Sequence, residues 1–438
     1  MKNHINTDIV ILGGGLSGLS AAQQANNKGL DWILLEKSPQ VGGLTRSIYL
    51  GDYIFDYTGH FLHLSKFSTP SKIHPSINDD EWKQIAKNAK CYFDGEIIDA
   101  PFQYNVGQLK ENIKSKIFLE FINFKQNDNI SSFKDYLVTN FGSTIAKEFL
   151  IPYNEKLLAT DLDRISKDAV SRFFPKPNKD SILENISGEK STNLQQYNSK
   201  FWYPKNDGIQ KLTNGLNNNL QTNRLLLNKQ IEYIDIEKKL IKTSDGYTIK
   251  YQKSISSIPF NFLIKNSSLH KKYSDNTKND ITAATVLSFH IGVRGKIIDK
   301  FKDIHWIYFS ENKYPFYRVG FYSNFNQVMA PKDTYSMYVE VGLDNNKIDL
   351  NKIKTSVIKS LEQLNLLKKN NIDTMISNFM VDGYVHYTFE RQLVINEVKD
   401  ILTQNNFTLI GRYGKWQYSS MEDSIIEGID ALNSISLI

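Results

Sequence analysis

The clearest apolar pattern in the chain is also its first. Asp8-Ile-Val-Ile-Leu12 is a continuous, largely β-branched run, which predicts a strand buried on both faces of a parallel sheet. Leu16, Leu19, Ala22 and Ala25 then recur at helical spacing as far as Lys28, and Gly29 closes the segment. Trp32 to Glu36 is a second short apolar run, so the order strand, helix, strand predicts a βαβ unit. Further on the period changes. Residues 107–170 read mostly as helices, with Phe118, Phe121, Phe124, Phe133, Tyr136, Phe141 and Phe149 as apolar anchors. Residues 176–200 are polar and turn-rich, which predicts a surface loop and candidate lid. Strand patterning returns over 225–227, 231–236, 240–243 and 247–251, with a turn at Asp245-Gly246. Residues 282–342 alternate as strands do, notably over 283–293 and 335–341. Helices are expected over 351–367 and 421–432, and a short strand over 408–411.

Composition narrows the classes. At roughly 150 residues per domain, 438 residues amount to about three domain equivalents, enough to fold without staples. Cys91 is the one cysteine, so no intramolecular disulfide or cysteine-based zinc site can form, and a reducing, cytoplasmic setting is expected. The eight histidines form no helical ligand pair, so no metal is expected. Net charge is +6, but the 53 Lys and Arg are scattered, which argues against nucleic acid as a partner. No run of about 18 apolar residues predicts membrane insertion. The opening segment superficially resembles a signal peptide, but Gly13, Gly14, Gly15 and Gly18 interrupt it. An oligomer is compatible with all of this.

The chemistry starts at the first turn. Gly13-Gly-Gly15-Leu-Ser-Gly18 fits G-x-G-x-x-G between a strand and a helix. Gly13 permits the tight turn, Gly15 lets a pyrophosphate approach, and Gly18 allows close helix–strand packing. Glu36, at the end of the next strand, can accept the hydroxyls of an adenosine ribose. Val41-Gly-Gly43-Leu44-Thr-Arg46 suits an extra length of chain laid over a flavin dinucleotide rather than NAD. Residues 409–418, with Arg412, precede a helix starting near Met421, whose N-terminus can stabilise negative charge on a reduced flavin by about 0.3–2 kcal/mol. Ile231, at the start of the strand expected over 231–236, is expected beside the cofactor as well.

These segments together resemble the FAD-containing family of protoporphyrinogen oxidases, amine oxidases and UDP-galactopyranose mutases, with the eukaryotic-type mutase branch the nearest in motif. Phe55-Asp-Tyr-Thr-Gly-His60 resembles the family's flavin-side loop, with Thr58 where a glycine is usual. Pro101-Phe102-Gln103 resembles the P-F-Q of the uridine pocket, and Phe149 with Pro152-Tyr-Asn154-Glu-Lys156 the segment after it. Trp306-Ile-Tyr308-Phe, Pro315-Phe-Tyr-Arg318, Gly383-Tyr384, Tyr387-Thr-Phe-Glu-Arg391 and Gly411-Arg412-Tyr-Gly-Lys-Trp-Gln-Tyr418 resemble further mutase segments, and Arg172 falls where the mutases carry a diphosphate arginine. Leu158 stands where a tryptophan is usual and Ala100 where an aromatic often is; both positions are expected to touch the nucleotide or sugar.

The resemblance implies an α/β fold, a discontinuous Rossmann-type FAD-binding domain (residues 1–66, 204–265 and 390–438) with a helical subdomain and an antiparallel β-sheet substrate subdomain (within 67–203 and 266–389). It implies FAD, active when reduced, with NAD(P)H as a reductant, and a UDP-sugar as substrate. The activity implied is the redox-neutral interconversion of pyranose and furanose forms through a sugar adduct at flavin N5. Arg172 and Arg318 would clamp the diphosphate. Phe102 and Phe149 would flank uracil, with Gln103 and Asn154 on its polar edge; plain core packing is the alternative for both rings. Tyr308, Tyr384 and Tyr418 would donate hydroxyls to phosphate. His60 would bond the flavin or assist a proton shift, or serve as a satisfied loop histidine. The competing function is an oxidase of the amine or protoporphyrinogen type, which needs oxidised flavin and no arginine pair.

Overall fold

A computed structural model describes residues 4–122, 130–169, 179–188, 199–273, 280–344 and 348–433. The first βαβ unit forms as its pattern predicts: strand His4–Leu12, helix Leu16–Asn27 and strand Trp32–Leu35. The two strands are parallel, Ile9 opposite Trp32 and Leu12 opposite Leu35. His4–Leu12 also pairs in parallel with Thr248–Ser256, whose far end takes on Phe407–Leu409. Ile231–Asp235, Leu240–Thr243 and Leu225–Leu226 complete this seven-stranded sheet. Three stretches far apart in the chain therefore share one hydrogen-bonded layer. The buried apolar residues on both faces, Val10, Leu12, Ile11 and Leu34 among them, are what a doubly covered parallel sheet requires.

The second seven-stranded sheet runs in the order Ile372–Val385, Ala283–Arg294, Thr334–Leu343, Arg318–Phe321, Trp306–Phe309, Ala89–Phe93, Glu96–Asp99. It is antiparallel except where Trp306–Phe309 lies parallel to Ala89–Phe93. A bulge between Ala284 and Val286 in the pairing with Ile372–Val385 falls next to Tyr384; bulges of this kind redirect neighbouring side chains.

The helical part comprises Glu111–Ile122, Phe133–Ile145 and Ile151–Leu158, the last two joined by a π-helical turn, Ala146–Leu150. Ser132 caps Phe133–Ile145 in a reciprocal box with Asp135. Phe121, Phe133, Tyr136, Phe141 and Phe149 are buried as expected, but Phe118 is 41% exposed; it faces outward on Glu111–Ile122 together with Leu119 and Ile122. Phe124 lies outside the described residues. The loop expected over 176–200 contains a helix, Lys179–Ile186, and ends in a strand, Lys200–Pro204, paired with Trp82–Ala86. Ile182 is buried and anchors that helix. Among the described residues no helix is long and apolar enough to cross a membrane.

Candidate functional site

One cavity of about 1520 Å³ runs between the two large sheets. It exceeds the roughly 300–1,000 Å³ of a typical small-ligand site. One end is the glycine turn. Gly13 has φ +97, a left-handed conformation that disfavours a side chain, and a Cβ on Gly18 would stand 1.9 Å from the Gly13 carbonyl oxygen. Gly18 therefore lets helix Leu16–Asn27 seat on the turn, as its place in the motif predicts. Gly43 approaches Gly15 so closely that a Cβ on it would lie 3.2 Å from the Gly15 Cα. The floor of this end is bare backbone facing the first amides of a helix, which have no partner within the helix. The residues present fit a dinucleotide pyrophosphate.

Glu36 is 8% exposed. Its Oε2 accepts the Gly14 N–H at 2.8 Å and its Oε1 the Ser38 N–H at 2.9 Å. Ile231, Leu44 and Arg46 line the same end, and Arg46 Nε donates to the Gly43 carbonyl at 2.8 Å. Helix Met421–Asn433 begins at the cavity wall, with Met421 and Glu422 lining it. The Glu422 carboxylate accepts the Ser65, Lys66 and Phe67 amides and the Ser65 hydroxyl, at 2.6 to 3.0 Å. It thereby ties the chain after His60 to the C-terminal helix.

The other end is aromatic and amide-rich. Phe102, Gln103, Phe149, Asn154, Tyr308, Arg318 and Tyr384 all line it. Gln103 and Asn154 are 3% and 6% exposed, and Asn154 Nδ2 donates to the Leu150 carbonyl at 2.7 Å. Phe102 and Phe149 do not leave a slot for a base: their rings stack on each other, centroids 4.2 Å apart at 8°. Inserting a third ring would need about twice that spacing. The expectation that they flank a planar ligand from opposite sides is corrected accordingly.

Arg318 and Glu340 form a two-bonded pair, Nε to Oε2 at 2.7 Å and Nη2 to Oε1 at 2.8 Å. Burial disfavours the guanidinium charge, but Glu340 with the nearby Tyr338 and Tyr384 outweighs it and holds the pKa above its ordinary value. His60 lies in the same cavity with its Nδ1 unpartnered among the described residues. Burial, followed by the charges of Arg318 and Arg412, pushes its pKa down to about 3, so the ring is neutral near pH 7. Arg412 donates to the Gly383 carbonyl at 3.1 Å and stands over the Tyr384 ring at 5.5 Å.

Three expectations fail or fall outside. Tyr418 does not line the cavity; its ring packs on Tyr387, centroids 4.8 Å apart, and its N–H donates to the Tyr387 hydroxyl. Leu158 is 2% exposed in the core while Leu157 takes the cavity wall, so of the two departures only Ala100 meets the cavity. Arg172 lies outside the described residues. Conversely, Thr58 Oγ1, Tyr317 Oη and Asn378 Nδ2 are buried polar atoms on the wall without partners among the described residues. Each needs a ligand or water to satisfy it. Tyr317 stands in the P-F-Y-R segment, which could have flagged it; Asn378 sits in an edge strand without a clear alternation, which gave no signal.

Fold and cavity define a Rossmann-type dinucleotide-binding domain joined to a second compartment built on an antiparallel sheet. Residues 11–72 match the family model of the NAD(P)-binding Rossmann-like domain. Over 117 residues, 25% of this chain, it is 35% identical to a Dictyostelium discoideum protein named probable flavin-containing monoamine oxidase A, spanning 25% of that protein's length. It is 38% identical to the flavin-containing amine oxidase B of Bos taurus over 68 residues, 14% of this chain and 13% of the relative. Among solved structures, that of reduced UDP-galactopyranose mutase superposes with a TM-score of 0.90 at 23% identity, covering 98% of this chain and 95% of that one. The chain has that protein's fold, and the matches support a flavin-type cofactor.

Proposed function

We propose that this protein is a flavin-dependent mutase that interconverts the pyranose and furanose forms of a UDP-hexose, UDP-galactose or a close analogue, without net redox change. The observation that carries the reading is a single cavity joining a dinucleotide cradle to a compartment lined by Arg318, Gln103 and Asn154. An arginine and two buried amides on the wall of one cavity suit a nucleoside diphosphate better than an amine or a porphyrin. The likeness in fold to a reduced UDP-galactopyranose mutase supports it.

When bound and reduced, FAD supplies an electron-rich nucleophile to the sugar's anomeric carbon. The chain's own residues do the rest. The turn at Gly13 to Gly18 and the helix it opens hold the pyrophosphate, and Glu36 accepts ribose hydroxyls. Met421 and its helix N-terminus favour negative charge nearby. Arg318, with Arg172, holds the diphosphate, so that UDP stays close enough for its return to be effectively intramolecular. Gln103 and Asn154 read the base edge, and Tyr308, Tyr384 and Tyr317 offer hydroxyls to phosphate or sugar. His60, neutral, can accept or pass on a proton beside the flavin. NAD(P)H is the proposed reductant, and the segments 1–66, 204–265 and 390–438 the proposed cofactor domain.

The second reading is an oxidase, favoured by the names of the two amine oxidase relatives. Anaerobic incubation of the reduced protein with a panel of nucleotide sugars, resolved by chromatography, tests both. Rearranged sugar supports the mutase; its absence, with peroxide released from an amine or porphyrinogen in air, supports the oxidase.

A further inference from the structure

Glu340 sits mid-strand in Thr334–Leu343, directly opposite Arg318 in the antiparallel register. Its side chain has no solvent exposure, whereas 15% of the Arg318 side chain is open, and that side chain lines the cavity. A carboxylate so buried is costly unless fully paired. The pairing uses one edge of the guanidinium, Nε and Nη2. A guanidinium carries five N–H groups in a rigid plane. Two go to Glu340, so both protons on Nη1 and one on Nη2 remain, and their direction follows from the anchored edge. The Tyr338 ring, 5.7 Å from the guanidinium carbon, backs the group on one side.

From this juxtaposition we infer that Glu340 is a positioning residue for the ligand: it aims the free Nη1 edge of Arg318 into the cavity and cancels most of the guanidinium's charge. The inference rests on Arg318 being a phosphate-binding group. Its consequence is a site that holds an anion by direction more than by net charge. A nucleotide sugar that must enter and leave at every turnover is served by that balance, because an uncompensated buried cation would hold the product too tightly.

The test compares the parent holoenzyme with Glu340→Gln and Glu340→Asp. Glutamine presents one acceptor and one NH2, so it cannot accept both Arg318 bonds, and it removes the negative charge. UDP is expected to bind Glu340→Gln about tenfold more tightly at low salt, with a steeper loss of affinity as salt rises. Turnover is expected to fall by roughly tenfold or more, since the Nη1 edge is no longer held. Glu340→Asp keeps the charge and should regain part of kcat and the parent's salt dependence, which a merely structural role would not predict. Calorimetric titration of UDP at low and high salt and steady-state turnover are the readouts. Parent-like kcat, KM and salt dependence in Glu340→Gln would overturn the inference while leaving the mutase reading intact. If Glu340→Gln does not fold as a flavoprotein, parent-like kcat and KM in Glu340→Asp overturn it, because a carboxylate one methylene short must shift the fork. Failure of the parent itself to bind UDP would overturn both readings.

Discussion

Glu36 closes the turn that it is also placed to serve. Its Oε2 accepts the Gly14 N–H at 2.8 Å, across 22 residues, so the carboxylate at the end of the second strand holds the glycine turn at the end of the first. The same group keeps lone pairs free for a ribose, since a carboxylate has about four acceptor positions and two are taken.

Glu36→Ala is therefore expected to weaken FAD binding on two counts, a lost ribose acceptor and a loosened turn. Charge-assisted hydrogen bonds of this kind contribute about 1.5–3 kcal/mol, so affinity should fall by roughly ten- to a hundredfold. Glu36→Gln, which keeps one oxygen acceptor, should fall between. Titration of the deflavinated protein with FAD, followed by flavin fluorescence, measures it; unchanged affinity would place the ribose elsewhere.

Arg318→Ala should abolish most turnover and weaken UDP binding while leaving the flavin absorption spectrum unchanged. It should also destabilise the fold by about 3–5 kcal/mol, because it strands the Glu340 carboxylate without a partner. Arg318→Lys should recover part of the stability but little of the UDP affinity, since an ammonium cannot form the fork. Thermal melts beside UDP titrations separate the two effects. UDP bound as tightly by Arg318→Ala as by the parent would remove the arginine from the substrate site.

Redox state should act as an on–off control. Sugar rearrangement is expected only after reduction by dithionite or a nicotinamide donor, and should stop when air reoxidises the flavin. No reductant should be consumed in proportion to product. Chromatography of the sugar alongside a peroxide assay checks this, and rearrangement by the fully oxidised protein would contradict it.

Acid should destabilise the protein through its buried imidazoles. Burial holds His60 and His290 at about 3, and His63 and His305 at about 4, against 6.5 for a free imidazole. The unfolded chain thus binds more protons over this window, and stability is lost as pH falls from about 6.5 toward 4. Asp56 works the other way: burial raises it to about 7 despite bonds from Tyr203, Ser47 and Ile209, so its contribution is lost as pH rises toward 7. Burial also raises Asp382 and Glu155 and also lowers His74 and His386, so the lowered imidazoles outnumber the raised carboxyls and melting temperature should fall on acidification. His290→Gln should flatten the slope by about one proton; an unchanged slope would mean that the histidine is not held neutral.

The parts of this protein readable from sequence are those whose causes are local. The strand at Ile9 to Leu12, the helix from Leu16 and the glycine turn between them follow from apolar runs and from backbone positions that exclude a Cβ, and neighbours in the chain settle both. The pairing of Arg318 with Glu340 was not legible, because the two are 22 residues apart and meet only when the strands carrying them align. The contact of Phe102 with Phe149, the retreat of Tyr418 onto Tyr387 and the choice of Leu157 over Leu158 for the cavity wall are packing outcomes. Each depends on which of several nearby surfaces a ring or alkyl chain can fill. The strand Ile372–Val385 was not legible either: it forms a largely half-exposed sheet edge, and its apolar residues fall on adjacent positions, Met375-Ile376 and Phe379-Met380-Val381, instead of alternating. Residue type and spacing determined that the chain would form a dinucleotide cradle. Which buried polar atoms face the second compartment was decided by tertiary contact, because a side chain's partner is selected by what the fold brings within hydrogen-bond reach.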